Sequence, residues 1–527
     1  MGANRKLWIA LLATLSMVLV ACGGGQTSPT GTTGVLVWDK SFDIKTLDPG
    51  RANEVTGYAV IKALYDTLLT FRGSDLSKPA PLLAQSYDVS SDAMTFTFHL
   101  RTDAKFADGK PVTAADAAFS FMRLKNIQGI PSFRMNGLTA TATDAETLTI
   151  TSTTPNPAVP ALITGPSFAV LEAAVVKAHG GTDGPDAKTA DTAQSFLDSQ
   201  SAGSGPYVLD SFDVTSRISI KANPHYWGSP KPGYAQIILR NVPPEAQVLN
   251  VQKGESQLAI DLSPDQVANI DTSHTNVLQT PSITVFFLFA TESPSVSKVA
   301  SNPDFQQAVR LGLDYSGILG LVGKGAVQSA GVMPIQLPGH LDAAASPKRD
   351  LAGAKAALAK SGLSNPSVTL EYATDFTING VSFATLAQKI QSDLKEVGIT
   401  VTLTPGPLTT TLANWRAGKE QLGLWTTTGL PDPSQALIFC PGGVESLRAD
   451  WKIGMNAALD NKCTQAATAV GDSQRAAAYV AMQQELNQEG PYFPLFQPAQ
   501  VLISAKTVTN LSYSPGWLVD LATIGHS

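Results

Sequence analysis

The sequence predicts α/β or α+β lobes, and three observations carry that prediction. Val285-Phe286-Phe287-Leu288-Phe289 is a continuous apolar run, the pattern of a strand covered on both faces. Thr95–Leu100 and Leu148–Thr151 alternate apolar and polar residues, as half-buried strands do. Other segments repeat apolar residues at helical spacing. Strands and helices intermixed along a long chain give this class.

In chain order, Val35–Trp38 reads as the first buried strand and Leu47-Asp48-Pro49 as a turn. Val60–Leu69 is predicted as a helix, with Ile61, Leu64, Tyr65 and Leu68 on one face. Phe106–Pro111 is a turn by composition, and Thr113 is placed to cap a helix from Ala114 to Arg123. Gly180–Asp191, rich in Gly and Asp, is expected as an exposed loop. From Phe305 the helical pattern dominates, through Ala308, Val309, Leu311 and Leu313. A second helix runs from Asp350 to Lys360 and ends at Gly362. A third carries Phe383, Leu386, Ala387, Ile390, Leu394 and Val397 and ends at Gly398. Glycine takes the left-handed position after a helix without strain. Ile399–Leu403 follows as a strand.

Composition narrows the function. A chain of 527 residues suggests about three domains and can bury a large core. Only 15% of residues are charged and the net charge is -6, with no basic block. That excludes the clustered Lys and Arg that nucleic-acid phosphates require. Three cysteines cannot build a disulfide-dense scaffold. Cys440 and Cys463 could close one loop or remain two buried thiols.

Arg5 and Lys6 precede an apolar run, Leu7–Val20. The run is shorter than the roughly 20 residues of a membrane span and suits a secretory signal over residues 1–21. Residues 22–34, mostly Gly, Thr, Ser and Gln, read as a flexible tether. The remainder is expected to be soluble and exported.

Catalytic motifs are missing. Gly203-Ser204-Gly205 lacks the spacing of a nucleophile elbow and runs into Pro206. Gly320–Gly325 lacks the Ser or Thr that a phosphate loop needs after its lysine. The six histidines are scattered, and there is no H-E-x-x-H. The sequence therefore predicts no enzyme, no metal and no cofactor.

Short motifs recur in a fixed order. Leu47-Asp48-Pro49 and Tyr65-Asp66-Thr67-Leu68 come first, then Pro81-Leu82-Leu83-Ala84. The longest block is Phe96–Arg101, Lys105–Asp116 and Phe119-Ser120-Phe121. Gly203–Tyr207, Asn223–Gly228, Phe305–Arg310 with Leu313-Asp314, Ile390–Ile399 and Pro431-Asp432-Pro433 follow. This ordered set, over about 40 to 525, resembles the peptide- and nickel-type (family 5) substrate-binding lipoproteins of bacterial ABC importers. Leu19-Val20-Ala21-Cys22 likewise resembles a bacterial lipobox, which implies cleavage before Cys22 and lipid on its sulfur.

The resemblance implies a two-lobed periplasmic-binding-protein-like α/β fold, with hinge strands and an extra smaller domain. Domain I would be discontinuous, from 33-70, 200-286 and 496-527. Domain II would span 71-199 and domain III 287-495. Such a monomer, lipid-anchored outside the cytoplasm, would close on a peptide or peptide-like solute. It would then deliver that solute to a permease with its ATPase. Sugar or metal-chelate binding, a sensing surface lipoprotein and an exported hydrolase are the alternatives.

The resemblance also points to site residues. Dipeptide and oligopeptide relatives place an aspartate for the ligand amine three residues before the Asp432-Pro433 pair; here that residue is Gly429. Trp425 stands one residue further upstream than usual, with Thr426, Thr427 and Thr428 filling the gap. Dipeptide binders place an arginine for the ligand carboxylate at the position of Thr377, beside Asp375 and Phe376. No arginine lies between Glu371 and Lys389. Buried charges need partners, so the loss of both anchors predicts a neutral or cationic solute. Trp425, the threonines and Asp375 would hold it, with Tyr58 and Phe376 as aromatic candidates. A peptide held by its backbone is also allowed.

Overall fold

A computed structural model describes residues 34–428 and 431–527. The expected signal, Cys22, the tether up to residue 33, and Gly429 lie outside the described residues. Three sheets organise the chain. The first has seven strands, in spatial order Thr275–Pro281, Ala499–Ala505, Leu258–Leu262, Val35–Lys40, Gln236–Asn241, Arg217–Ala222 and Tyr207–Asp213. Val35–Lys40 runs parallel to both of its neighbours. The second is a four-stranded antiparallel sheet: Ala84–Val89, Thr95–Leu100, Thr147–Ser152 and Leu138–Ala142.

The third has six strands, ordered Val327–Gln328, Tyr492–Gln497, Val285–Ala290, Leu422–Thr427, Ser367–Ala373 and Thr400–Gly406. Val285–Ala290 is central and every residue in it is buried. Phe286 and Leu288 join one apolar cluster, and Phe287 and Phe289 another. The continuous apolar run reflects that double cover.

The chain crosses from the seven-stranded to the six-stranded sheet at Ser282–Thr284 and returns at Pro498. The crossings lie side by side, with Ser282 N–H donating to the Pro498 carbonyl at 2.8 Å. The expected boundaries at 286/287 and 495/496 fall inside strands Val285–Ala290 and Tyr492–Gln497. Ladder pairing in the seven-stranded sheet ends at Pro281 and resumes at Ala499, a few residues from those boundaries.

Several local readings meet their expected physics. Thr113 caps helix Ala114–Asn126 in a reciprocal box with Asp116. Helix Phe383–Val397 buries all six expected apolar residues, and Gly398 follows it at φ 105°. Other readings differ. The helix expected over Val60–Leu69 spans Val55–Leu64. The 203–205 loop blocks its extension: Gly205 N–H bonds the Leu64 carbonyl at 3.1 Å, and a Cβ on Gly203 would lie 2.3 Å from that oxygen. The 180–191 segment is not simply exposed. It includes the short helix Ala187–Ala190 and ends in a buried Asp191, held there by arginine. Cys440 and Cys463 form a disulfide.

Candidate functional site

One cavity, about 560 Å³, draws its walls from all three sheet regions. That is within the size range of small-molecule sites, roughly 300–1,000 Å³. From the first region come Lys40, Tyr58, the crossing residues Ser282–Thr284, and Trp517. From the second come Phe133, Arg134 and Ser167. The third contributes Asn379, Thr428 and Pro431. Two crossing segments at the base of such a cleft give it the geometry of a hinge.

Tyr58 lines the cleft, its hydroxyl donating to Asn53 Oδ1 at 3.3 Å. Thr428 lines it too, with its hydroxyl 2.7 Å from that of Thr284. Lys40 and Asp261 form an ion pair in the wall. Asp261 also accepts from Ser41 N–H at 2.6 Å and Gln247 Nε2 at 3.1 Å, so its lone pairs are well occupied.

Trp425 is a correction to the sequence reading. Its side chain is 4% exposed and is not a wall of this cleft. It stacks on Trp415, ring centroids 4.2 Å apart, and the Arg448 guanidinium covers Trp415 from 3.9 Å. Trp425 Nε1 donates to Glu420 Oε2 at 2.8 Å. Burial pushes the Glu420 carboxyl up to about 9, and the neighbouring Glu371 adds to the rise. The physical reason is position: Trp425 opposes Phe287 in a central strand pair covered on both faces. Thr426 and Thr427 continue that strand, half-buried, outside the cleft wall.

The other expected segment is displaced by two residues. Asp375 accepts from Leu408 N–H at 2.6 Å, at the start of helix Leu408–Arg416, where a carboxylate suits the helix terminus. Phe376 packs against Phe383, centroids 5.7 Å apart. Thr377 pairs with Ser382 at the base of a small hairpin. None of the three lines the cleft; the hairpin tip, Asn379, does. Asn379 sits at φ 53°, a conformation asparagine tolerates in tight turns. Its Nδ2 donates to Gln500 Oε1 at 3.0 Å. The Asn-Gly pair at 379–380 is a hairpin signal that could have drawn attention to it. Arg134, Ser167 and Trp517 had no such signal.

A family model for bacterial extracellular solute-binding proteins, family 5, matches residues 78–443. The chain belongs to that family. It is therefore a solute-binding protein by descent. It is 27% identical over 521 residues to the "Probable D,D-dipeptide-binding periplasmic protein DdpA" of Escherichia coli (strain K12), covering 97% of each chain. It is 26% identical over 510 residues to the di/tripeptide-binding protein 2 of Pseudomonas aeruginosa (strain UCBPP-PA14), covering 89% of this chain and 90% of that one. The crystal structure of the ABC transporter substrate binding protein CtaP from Listeria monocytogenes superposes with a TM-score of 0.81 at 19% identity. That superposition covers 94% of this chain and all of the other. The two-lobed α/β fold of this family is thereby shown. Among the described residues no cluster of His, Cys, Asp and Glu is fit to hold a metal, and no helix is long and apolar enough to cross a membrane.

Proposed function

We propose that this protein captures a peptide or peptide-like solute outside the cytoplasm by hinge closure and hands it to an ABC importer permease, without turning it over. The observation that carries this reading is the cleft itself. Its walls come from three sheet regions that meet over paired crossing segments. Closure follows if the solute binds the closed arrangement better than the open one. The peptide class is favoured by the names of the two curated relatives. The three sheets support a division into domains I, II and III, with the crossings at 282–284 and 498 as the hinge. In this reading Cys22 carries the lipid anchor, the protein works as a monomer, and Tyr58 and Thr428 are solute contacts.

The test is native mass spectrometry of protein purified without refolding, followed by calorimetry with two- and three-residue peptides. A retained peptide-sized mass, or saturable binding that raises the melting temperature, is expected. No retained mass and no binding across a peptide panel would overturn the reading. Radiolabelled palmitate incorporation, lost in Cys22→Ala, tests the anchor.

A further inference from the structure

A second cavity, about 250 Å³, lies where the first and second regions meet, and it shares no lining residue with the cleft. Lys62, near the end of helix Val55–Leu64, and Asp66 stand on one wall. Strand Leu69–Arg72 adds Thr70 and Arg72, the loop at 226–230 adds Tyr226 and Trp227, and the C-terminal segment adds Asp520.

Three oxygens on these walls lack donors. Asp66 is 4% exposed. Its Oδ2 accepts from Ser204 Oγ at 2.9 Å and from Trp227 Nε1 at 3.0 Å, and no donor among the described residues meets its Oδ1. Asp520 Oδ1 accepts from Ala522 N–H at 3.1 Å, and its Oδ2 is unmet in the same way. Tyr226 is 7% exposed, and its hydroxyl has no partner among the described residues. A Cβ on Gly228 would lie 2.5 Å from that hydroxyl, so the glycine keeps the space beside it open. None of these three oxygens is among the unpartnered polar atoms sealed inside the protein. Each keeps accessible surface, and all three residues line this cavity.

The neighbouring cations are engaged elsewhere. Lys62 Nζ donates to Thr67 Oγ1 at 2.9 Å and Thr70 Oγ1 at 3.4 Å, and stands 4.7 Å from the Trp517 ring centroid. Arg101 holds Asp103 with bonds of 2.6 and 2.8 Å. Arg72 is exposed. Among the described residues Asp66 and Asp520 thus form no ion pair, although the two repel each other and both attract Lys62. Burial pushes the Asp66 carboxyl up to about 6 against that attraction. Burial also raises the Tyr226 hydroxyl, and the charges of Asp66 and Asp520 add to the rise, so the hydroxyl stands in the field of both carboxylates. Two carboxylates against one ammonium leave an excess of negative charge, which a bound cation would offset.

We propose that this cavity binds a small primary ammonium compound, whose three N–H groups donate to Asp66 Oδ1, Asp520 Oδ2 and the Tyr226 hydroxyl. A primary ammonium has three donors and no acceptor, which matches three open oxygens. The rings of Tyr226 and Trp227 suit its positive charge and attached carbons. A calcium ion suits the site less, because it takes about six to eight oxygens. Among the described residues no three of His, Cys, Asp and Glu are grouped to hold a metal. This goes beyond solute capture in the cleft and does not rest on it.

The experiment is calorimetry of the whole protein with ethylamine and 1,4-diaminobutane, with 1,4-butanediol, acetate and calcium chloride as the neutral, anionic and metal probes. The proteins are wild type, Asp520→Asn and Tyr226→Phe, with ligand-free melting temperatures checking each fold. Asp66 is kept, because it also holds Ser204 and Trp227. The amines are expected to bind wild type, and the diol and acetate are not. Asp520→Asn should weaken amine binding about 10-fold or more, and Tyr226→Phe about 2- to 10-fold. If Asp520→Asn fails to fold, Tyr226→Phe, which keeps the ring, decides the matter alone. No amine binding, diol binding equal to that of the diamine, or amine binding unchanged in the folded variants would overturn the proposal. So would tighter binding of acetate or calcium than of either amine. Peptide capture by the cleft stands or falls separately.

Discussion

The four-stranded and six-stranded regions join the seven-stranded one in opposite ways. At the first junction Arg123, 1% exposed, is gripped from both sides. Its Nη1 and Nη2 donate to Asp48 at 2.8 and 2.7 Å, and its Nε and Nη2 to Asp191 at 2.7 and 2.8 Å. Arg51 adds a bond to Asp191 at 3.0 Å. The second junction includes two crossing segments, the tip of the 377–382 hairpin, the close approach of Gly323 to Pro264, and a bond from Gln336 Nε2 to the Pro281 carbonyl at 2.7 Å. Asn379 reaches Gln500 there, and a Cβ on Gly380 would lie 2.5 Å from that of Ser263.

A buried, fully paired ion cluster resists separation, because parting it strands charges in a poor solvent. A single part-buried hydrogen bond between neutral amides, such as Asn379 to Gln500, holds two regions together far more weakly. For the proposed closure, this difference assigns a fixed side and a moving side to the cleft. The six-stranded region swings in the proposed closure, while Arg134 stays on the fixed side.

The comparison breaks most severely at Arg123. Arg123→Ala leaves two buried carboxylates, Asp48 and Asp191, with Arg51 as their one remaining cation among the described residues, and should cost about 3–5 kcal/mol. Chemical denaturation would show it as a lowered midpoint; an unchanged midpoint would remove the fixed junction from the account.

Glu420 probes the interior of the moving region without touching either junction. In the folded protein its carboxyl titrates at about 9, against an ordinary value of 4.5. The folded state therefore keeps a proton that the unfolded chain releases. The stability this contributes is complete below about 4.5 and declines as pH rises toward about 9. Glu420→Gln is neutral throughout and still offers an oxygen to Trp425 Nε1. It should match wild type near pH 4 and exceed it by about 1–3 kcal/mol near pH 8.5. Denaturation curves at the two pH values check this, and solute affinity should not change.

The smallest effect sharpens the moving junction. Asn379→Ala removes one hydrogen bond between regions, worth about 0.5–1.5 kcal/mol. Solute affinity should fall about 2- to 10-fold, with the ligand-free melting temperature unchanged. A loss of ligand-free stability instead would mean that the hairpin holds the fold together and does not gate closure.

Local features were legible in the sequence because their causes are local. Periodicity put six residues of helix Phe383–Val397 in the core, and the Thr113–Asp116 spacing marked a cap. The ordered motifs were enough to place the family, since several record a turn, a cap or a buried segment the fold needs. Asp48 was legible only as part of a turn; its role as an arginine clamp depends on residues 75 positions and more away.

The site was less legible. Strand Leu422–Thr427 is apolar on both faces, and alternation cannot say which face looks into a cleft when both are covered. Trp425 is therefore a core residue stacked on Trp415. The cleft wall instead gathers Tyr58, Arg134, Ser167, Asn379 and Trp517 from across the chain. By itself the sequence determined several helices, their caps, and the class and family of this protein. Tertiary structure alone decided which side chains face the solute, because three sheets must meet before there is a cleft to face.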